Sequence, residues 1–442
     1  MRAPGEILLV ACYELGHQPL AVAWPAAFLE RAGYAPAVVD LAVEALDPAA
    51  VARARLVAVS VPMHTALRLG VAALARIRAI NSAAHVCFYG LYAALNADWL
   101  RAHGVDSVLA GEAEEALVAL ARALEAADDG GAPAAAPPLD AGRAIVRDRL
   151  RFPVPRRVGL PPLRRYAHLE HDGRREPAGY VEASRGCKHR CRHCPIPPVY
   201  DGRFFVVPVE TVLADVRQQV AAGARHVTFG DPDFLNGPRH ALAVARALHA
   251  EFPWLTFDVT AKVEHLLRHR ALLPELAALG CAFVVTAAES LDDRVLAILD
   301  KGHTRADLVA ALGALRAAGI APRPTWIAFT PWTTLAGYRA WLDFLADEDL
   351  VDHVDPVQYT IRLLVPPGSL LLERPEMQAH LGPLVGDGFH HRWTNPDARV
   401  ERLWEAVNDL VTAAIERGED GARIFDGVRA LAAAHAGADP PP

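Results

Sequence analysis

The first 130 or so positions alternate two patterns. Short apolar runs, "EILLVAC", "APAVVDLA", "ARLVAVSV", "AHVCFYG" and "DSVLAG", read as strands. Between them, "LAVAWPAAFLERAGY", "ALRLGVAALARIRAIN" and "EAEEALVALARALEAA" repeat their apolar positions at helical spacing. Strands apolar on both faces and separated by helices predict a parallel sheet covered on both sides. The pattern thus predicts a doubly wound, Rossmann-like α/β domain over 1–128, with ligands beyond the C-terminal strand ends. The Ala-, Pro- and Gly-rich run "ADDGGAPAAAPPLDAGRA" then breaks the alternation and predicts a linker over 129–174.

A second alternation runs over 175–385. Its strands are "GYVEAS", "HVTFGD", "TFDVTAK", "FVVTAAES", "APRPTWIAF" and "DPVQYTIRLLVP", with helices such as "VETVLADVRQQVAAG" between them. Six β/α steps predict an open, partial TIM barrel with its active site at the C-terminal strand ends. The remainder, 386–442, contains "VERLWEAVNDLVTAAIERG" and predicts a helical C-terminal segment.

Composition narrows the function. The chain has 442 residues and is 52% hydrophobic, which suffices for two large cores. A formal net charge of -7 gives no support to a general nucleic-acid binder. No apolar run is long enough for a membrane span, and "MRAPGEILLVACYELG" lacks the separate charged and apolar regions of a leader. A cytoplasmic protein with a small-molecule substrate, and neither nucleic acid nor membrane as partner, is the expectation. In a reducing compartment, crowded thiols point to a metal rather than to disulfides.

Of six cysteines, Cys187, Cys191 and Cys194 fall in "SRGCKHRCRHCPIPPVY", spaced C-x3-C-x2-C. Thiolates suit an iron–sulfur cluster, zinc or copper. A structural zinc site wants four ligands, and His189 or His193 could complete one. A [4Fe–4S] cluster on three thiolates instead leaves one iron open to a further ligand. Cys12, Cys87 and Cys281 lie in or beside apolar strands and read as small core residues.

"CKHRCRHC" resembles the C-x3-C-x-Φ-C motif of the radical S-adenosylmethionine (SAM) enzymes, with His193 in place of the usual aromatic. The resemblance implies a [4Fe–4S] cluster on Cys187, Cys191 and Cys194, whose open iron binds SAM. It extends along the barrel. "FGDPDF" stands where the family contacts the SAM amino group, which nominates Asp231 and Asp233. "TAAES" resembles the G-x-E-S element, which assigns Glu289 to the ribose, and Lys262 in "FDVTAK" faces the same mouth. "WIAFTP" and "LLVPPGS" occupy late-strand positions that cradle adenine or close the barrel. Tyr200, Arg203, Trp326, Trp332 and Arg362 are further candidates for an aromatic- and cation-lined mouth.

The first domain is similar to the cobalamin-binding domain of a radical SAM subgroup. Ser60 in "VSVP", Gly90 in "FYGLY", and Gly111 and Glu112 in "AGEAEEAL" fall on its S-x-L, G-G and G-E-x-E elements. The D-x-H-x-x-G loop, whose imidazole binds cobalt, is replaced by "YELGHQPLA", in which His17 has the wrong spacing. Within the subgroup, the chain resembles the radical SAM proteins named for a Cys-Cys-Ala-Glu-Pro tail, although it ends "AAAHAGADPPP" without one. The resemblance implies a cobalamin-dependent methyltransferase acting on an unactivated carbon, fed electrons by a donor such as flavodoxin or ferredoxin. The alternatives are a radical SAM enzyme with no functional cobalamin, which transfers a 3-amino-3-carboxypropyl group or rearranges its substrate, and a non-catalytic iron–sulfur or zinc protein.

Overall fold

The computed structural model describes residues 1–128, 144–171 and 173–437. The first sheet contains β1 (Ile7–Ala11), β2 (Ala37–Asp40), β3 (Leu56–Ser60), β4 (His85–Tyr89), β5 (Ser107–Gly111) and β6 (Ala144–Val146). Their order is β2-β1-β3-β4-β5-β6, all parallel. Side chains alternate between two cores, as the two-residue period of a strand requires. Ile7, Leu9, Leu56 and Ala58 join one cluster, and Leu8, Val10, Val57 and Val59 the other. This is the doubly covered sheet that the apolar runs predict. One strand of this sheet was not foreseen: β6 comes from the segment read as a linker, as does the edge strand of the second sheet, His168–His171; β6 is too short to show a pattern and gains its order by pairing with Leu109–Gly111. Positions 129–143 of that segment lie outside the described residues.

The second sheet contains β7 (His168–His171), β8 (Arg174–Val181), β11 (His226–Phe229), β12 (Thr256–Thr260), β13 (Cys281–Glu289) and β14 (Ala321–Trp326), in the order β14-β13-β12-β11-β8-β7. Strands β8 and β11 to β14 are parallel and form a curled half-barrel; β7 is an antiparallel edge strand on β8. A separate antiparallel pair, β9 (Ser184–Gly186) and β10 (Phe204–Val206), clamps the base of the cysteine loop. The predicted sixth parallel strand, "DPVQYTIRLLVP", is a correction. Residues Pro356–Thr360 form a 3₁₀ turn, and a single parallel bridge, Phe329 to Arg362, follows. Pro356 removes a ladder donor, and the Gln358 side chain accepts from the Trp326 N–H at 2.9 Å where a neighbouring strand would.

The start of the predicted helical tail is also different. A hairpin of β15 (Leu381–Val385) and β16 (His390–Trp393) precedes the helices Ala398–Glu416 and Gly421–Gly437. Val400, Leu403, Val407 and Val411 bury one stripe of the first of these helices.

The two sheets share one continuous core, in which Trp24, Tyr89 and Leu117 join Phe152, Val181 and Ala183. Arg157 fastens the crossing segment: it pairs with Asp215 at 2.7 Å and donates to the Tyr180 and Gln18 carbonyls. Among the described residues, no helix is long and apolar enough to cross a membrane.

Candidate cofactor and active site

The C-terminal ends of both parallel sheets face one interior region, and the sequence elements singled out above gather there. The loop after β9 carries Cys187, Cys191 and Cys194, the first two almost fully buried. Burial pushes the Cys194 thiol up to about 12, and the neighbouring Cys191 and Cys187 add to it. Cys187 is raised for the same first reason, although the Asn236 amide points at its sulfur from 3.6 Å. Crowded, desolvated thiols favour the neutral form, so a bound metal must supply the charge that turns them into ligands. Cys12, Cys87 and Cys281 are buried in strands or beside them, away from this loop.

Glu289 ends β13 in the left-handed region, at φ 65°, where the register against β14 shifts. A non-glycine residue held there is strained by about 1–2 kcal/mol. Its carboxylate meets Lys301 at 3.1 Å and His193 at 3.2 Å. Burial alone would raise its pKa, yet the Lys301 ammonium and the His193 hydrogen bond hold it well below the usual carboxylate range. Lys301 in turn senses Cys191 and Cys194. Glu289 is thus an ionised acceptor beside the thiols. Sequence reasoning missed Lys301, which sits 12 positions on, after an intervening helix.

Asp231 and Asp233 do different things. Asp231 is fully buried and accepts from the Ala183 N–H at 2.9 Å and from the Ser184 hydroxyl, which ties β11 to β9. Burial raises it to about 7. Asp233 faces His265 at 2.7 Å and His189 at 3.6 Å. Lys262, at the end of β12, lies 3.7 Å from Glu264. His265 and Glu264 had no sequence signal beyond following Lys262.

Between the two sets of strand ends lies a cavity of about 230 Å³. Ser60, Gly90, Gly111, Glu114, Tyr89 and Trp24 line it from the first domain, and Tyr180, Glu182, Arg185, Gly186 and Tyr200 from the second. Gly90 and Gly111 have positive φ, at 113° and 71°. A Cβ on Gly111 would lie 2.0 Å from the Val146 carbonyl, so the approach of β6 requires this glycine. Glu112 does not line the cavity. It is fully buried behind it, accepts from the Tyr200 hydroxyl at 2.9 Å, and lies 3.5 Å from Arg185. Arg185 also pairs with Glu114 at 2.5 Å and Glu182 at 2.9 Å, and stacks near Trp24 and Phe152. Three carboxylates thus share one guanidinium, and burial pushes Glu112 upward.

The other candidates are placed as follows. Trp326 and Trp332 line a smaller cavity of about 160 Å³ reaching Glu289. Arg203 is exposed and donates to the Arg147 carbonyl. Arg362 stacks over Trp393 and Trp404 and pairs with Glu401 at 2.6 Å, so it holds the C-terminal helix rather than the mouth. His17 stacks flat on Tyr180 at 4.5 Å, and burial lowers it to about 4.

With the geometry in view, comparison with known proteins is direct. The Radical SAM superfamily model matches residues 181–331, and the B12 binding domain model matches residues 7–121. The chain contains a radical SAM domain and a B12-binding domain. Among solved structures, the cobalamin-dependent S-adenosylmethionine radical enzyme OxsB, with aqua-cobalamin and S-adenosylmethionine bound, superposes with a TM-score of 0.71 at 14% identity, covering 92% of this chain and 67% of that one. The radical SAM methyltransferase TsrM from Kitasatospora setae gives 0.62 at 19% identity, covering 85% and 77%. At these identities the likeness is one of fold. Curated relatives include a ribosomal protein uS12 methylthiotransferase of Cereibacter sphaeroides, 29% identical, and a tRNA-2-methylthio-N(6)-dimethylallyladenosine synthase of Pseudomonas fluorescens, 24% identical. The matches cover 41% and 50% of this chain; the chain spans 41% and 52% of those relatives' lengths.

The cofactors of a radical SAM enzyme with a B12-binding domain are a [4Fe–4S] cluster, SAM and cobalamin. The residues present suit them. Three thiols on one loop, two of them buried, with Lys301 to offset added negative charge, match the donor set of a cluster. In the cavity, Glu114 keeps one buried carboxylate oxygen without a hydrogen bond. That acceptor suits the amide donors around a corrin. Among the described residues, no histidine lines the cavity.

Proposed function

We propose that this radical SAM enzyme is a cobalamin-dependent methyltransferase acting on an unactivated carbon of a small metabolite. The observation that supports it is the cavity walled by both domains. Its rim includes Gly186, directly before Cys187, and the strand-end residues Ser60, Gly90 and Gly111. When bound, the cluster and SAM supply a carbon radical, and cobalamin supplies a methyl group.

The chain's own residues divide the work. Cys187, Cys191 and Cys194 hold the cluster. Glu289, ionised by Lys301, accepts the ribose hydroxyls. Asp233 and Lys262 line the mouth, while Asp231 fixes the loop that carries the thiols. Ser60, Gly90 and Gly111, which line the cavity, would hold cobalamin there, and Glu112 would act behind them through Arg185. The buried wall excludes water from a radical, which would otherwise be quenched. A flavodoxin- or ferredoxin-type donor supplies electrons in the cytoplasm. A net charge of -7 favours a small substrate over a polyanion such as RNA.

The test is anaerobic reconstitution with and without cobalamin, followed by product analysis. Methyl transfer leaves 5′-deoxyadenosine and S-adenosylhomocysteine, and only with cobalamin. Methylthioadenosine independent of cobalamin would establish 3-amino-3-carboxypropyl transfer instead.

A further inference from the structure

Beside the cysteine loop, three side chains from separate segments converge. His189 lies within the loop, Asp233 follows β11, and His265 lies in the helix Val263–Arg268. Asp233 Oδ2 is 2.7 Å from His265 Nδ1 and 3.6 Å from His189 Nε2, and the two Nε2 atoms are 3.2 Å apart. Asp233 and His265 are buried, and His189 is nearly so. The other Asp233 oxygen accepts from the Leu235 N–H at 3.1 Å, which fixes the carboxylate.

What this pair lacks is the alignment of an ordinary His–Asp hydrogen bond. Asp233 Oδ2 and His265 Nδ1 are buried and within 2.7 Å, yet neither makes a hydrogen bond. An imidazole N–H donating to a carboxylate would point along the line between them. Two atoms brought together without that alignment are placed like donors aimed at a common cation. We propose that His189, Asp233 and His265 bind one divalent first-row transition-metal ion, separate from the cluster.

Two imidazoles and one carboxylate are a recurrent donor set for such ions and leave coordination positions open. Bonds of about 2.0–2.2 Å place tetrahedral ligand atoms roughly 3.3–3.6 Å apart; Asp233 Oδ2 lies 2.7 Å from His265 Nδ1 and 3.6 Å from His189 Nε2, and one ligand atom from each of the three residues lies within 4.8 Å of the others. Glu264 lies 3.7 Å from His189 Nδ1, where a second carboxylate would orient the ring and raise its basicity. The nearby cation, Lys262, is faced by the same Glu264 at 3.7 Å. A carboxylate or amine of a bound molecule could complete the shell. No cysteine takes part, so the site stands whether or not the cluster and methyl-transfer readings hold.

The experiment separates this ion from thiol-bound metal. Cobalt(II) is titrated into the Cys187→Ser/Cys191→Ser/Cys194→Ser protein, with circular dichroism as the check of folding. One equivalent should bind, with the weak visible bands of nitrogen and oxygen ligation. His265→Ala or Asp233→Asn in that background should weaken it at least 100-fold, and Glu264→Gln by roughly tenfold. A folded triple variant that retains no cobalt, or equal affinity in the His265→Ala protein, overturns the proposal. If the triple variant fails to fold, metal analysis of the reconstituted full chain replaces it. One zinc per chain beyond the cluster iron should be lost in His265→Ala, with cluster iron unchanged. Absence of that zinc, or its retention in His265→Ala, refutes the site. Absence of zinc combined with weaker SAM binding in His265→Ala would assign the three residues to the SAM ammonium instead.

Discussion

Arg185 gives the sharpest test of how the two domains are joined. Its guanidinium meets Glu112, Glu114 and Glu182 at 3.5, 2.5 and 2.9 Å; Glu112 and Glu114 are buried, and Arg185 and Glu182 are largely so. It sits in β9, two residues before Cys187, while Glu112 and Glu114 follow β5 in the other domain. Arg185→Met keeps the apolar stem against Trp24 and Phe152 but strands three carboxylates. Breaking a buried ion pair from one side costs about 3–5 kcal/mol, a large part of a typical stability of about 5–15 kcal/mol. The pH dependence follows. Burial already raises Glu112 above its unfolded value, and losing Arg185 raises it further. A carboxyl raised in the folded state gives stability that is intact below its unfolded pKa and lost as pH rises through the folded one. The variant's deficit against wild type should therefore be small near pH 4.5 and grow toward pH 8. Urea melts at a series of pH values measure it. A deficit below about 1 kcal/mol at pH 7.5, or one that does not change with pH, would refute the ion-pair reasoning.

Three further outcomes are expected. Alanine at Cys187, Cys191 or Cys194 should abolish iron loading and SAM cleavage, whereas Cys12→Ala, Cys87→Ala and Cys281→Ala should retain iron; full iron in Cys191→Ala would remove the cluster assignment. Glu289→Gln should weaken SAM binding by about 1.5–3 kcal/mol, the usual loss for a hydrogen bond to a charged acceptor. It should lower stability as well, because Lys301 is left buried without its countercharge; calorimetry with SAM and a thermal melt report the two effects separately. Cobalamin should bind the folded chain, and His17→Ala should leave both its affinity and its visible spectrum unchanged, because the His17 ring stacks on Tyr180 outside the cavity lining; a spectral change would make His17 a cobalt ligand.

The alternation of apolar runs and amphipathic helices determined both parallel sheets, because a strand buried on two faces has to be apolar throughout. The cysteine spacing marked the thiol loop for the same local reason: three ligands of one group lie within eight positions. Glu289, Asp231 and Asp233 were legible as strand-end carboxylates, since parallel strands deliver their C-terminal loops to one mouth. What each carboxylate does there was decided only in three dimensions. Asp231 is consumed by Ser184 and Ala183, Glu289 by Lys301 and His193, and Asp233 by two histidines, none of which is adjacent to it in the chain. Glu112 read as a cofactor contact, yet it stands behind the cavity because Arg185, 73 positions later, draws it there. Strands β6 and β7 were invisible because short segments beside a Pro- and Gly-rich run carry no periodicity and gain order from the edge they pair with. The expected sixth barrel strand failed for the converse reason: its apolar pattern was adequate, but Pro356 lacks a ladder donor and the Gln358 side chain took the Trp326 N–H that a strand would need. Periodicity is a local property and survives in the sequence. Charge pairing and edge pairing are contacts between distant residues, and only the folded chain brings those together.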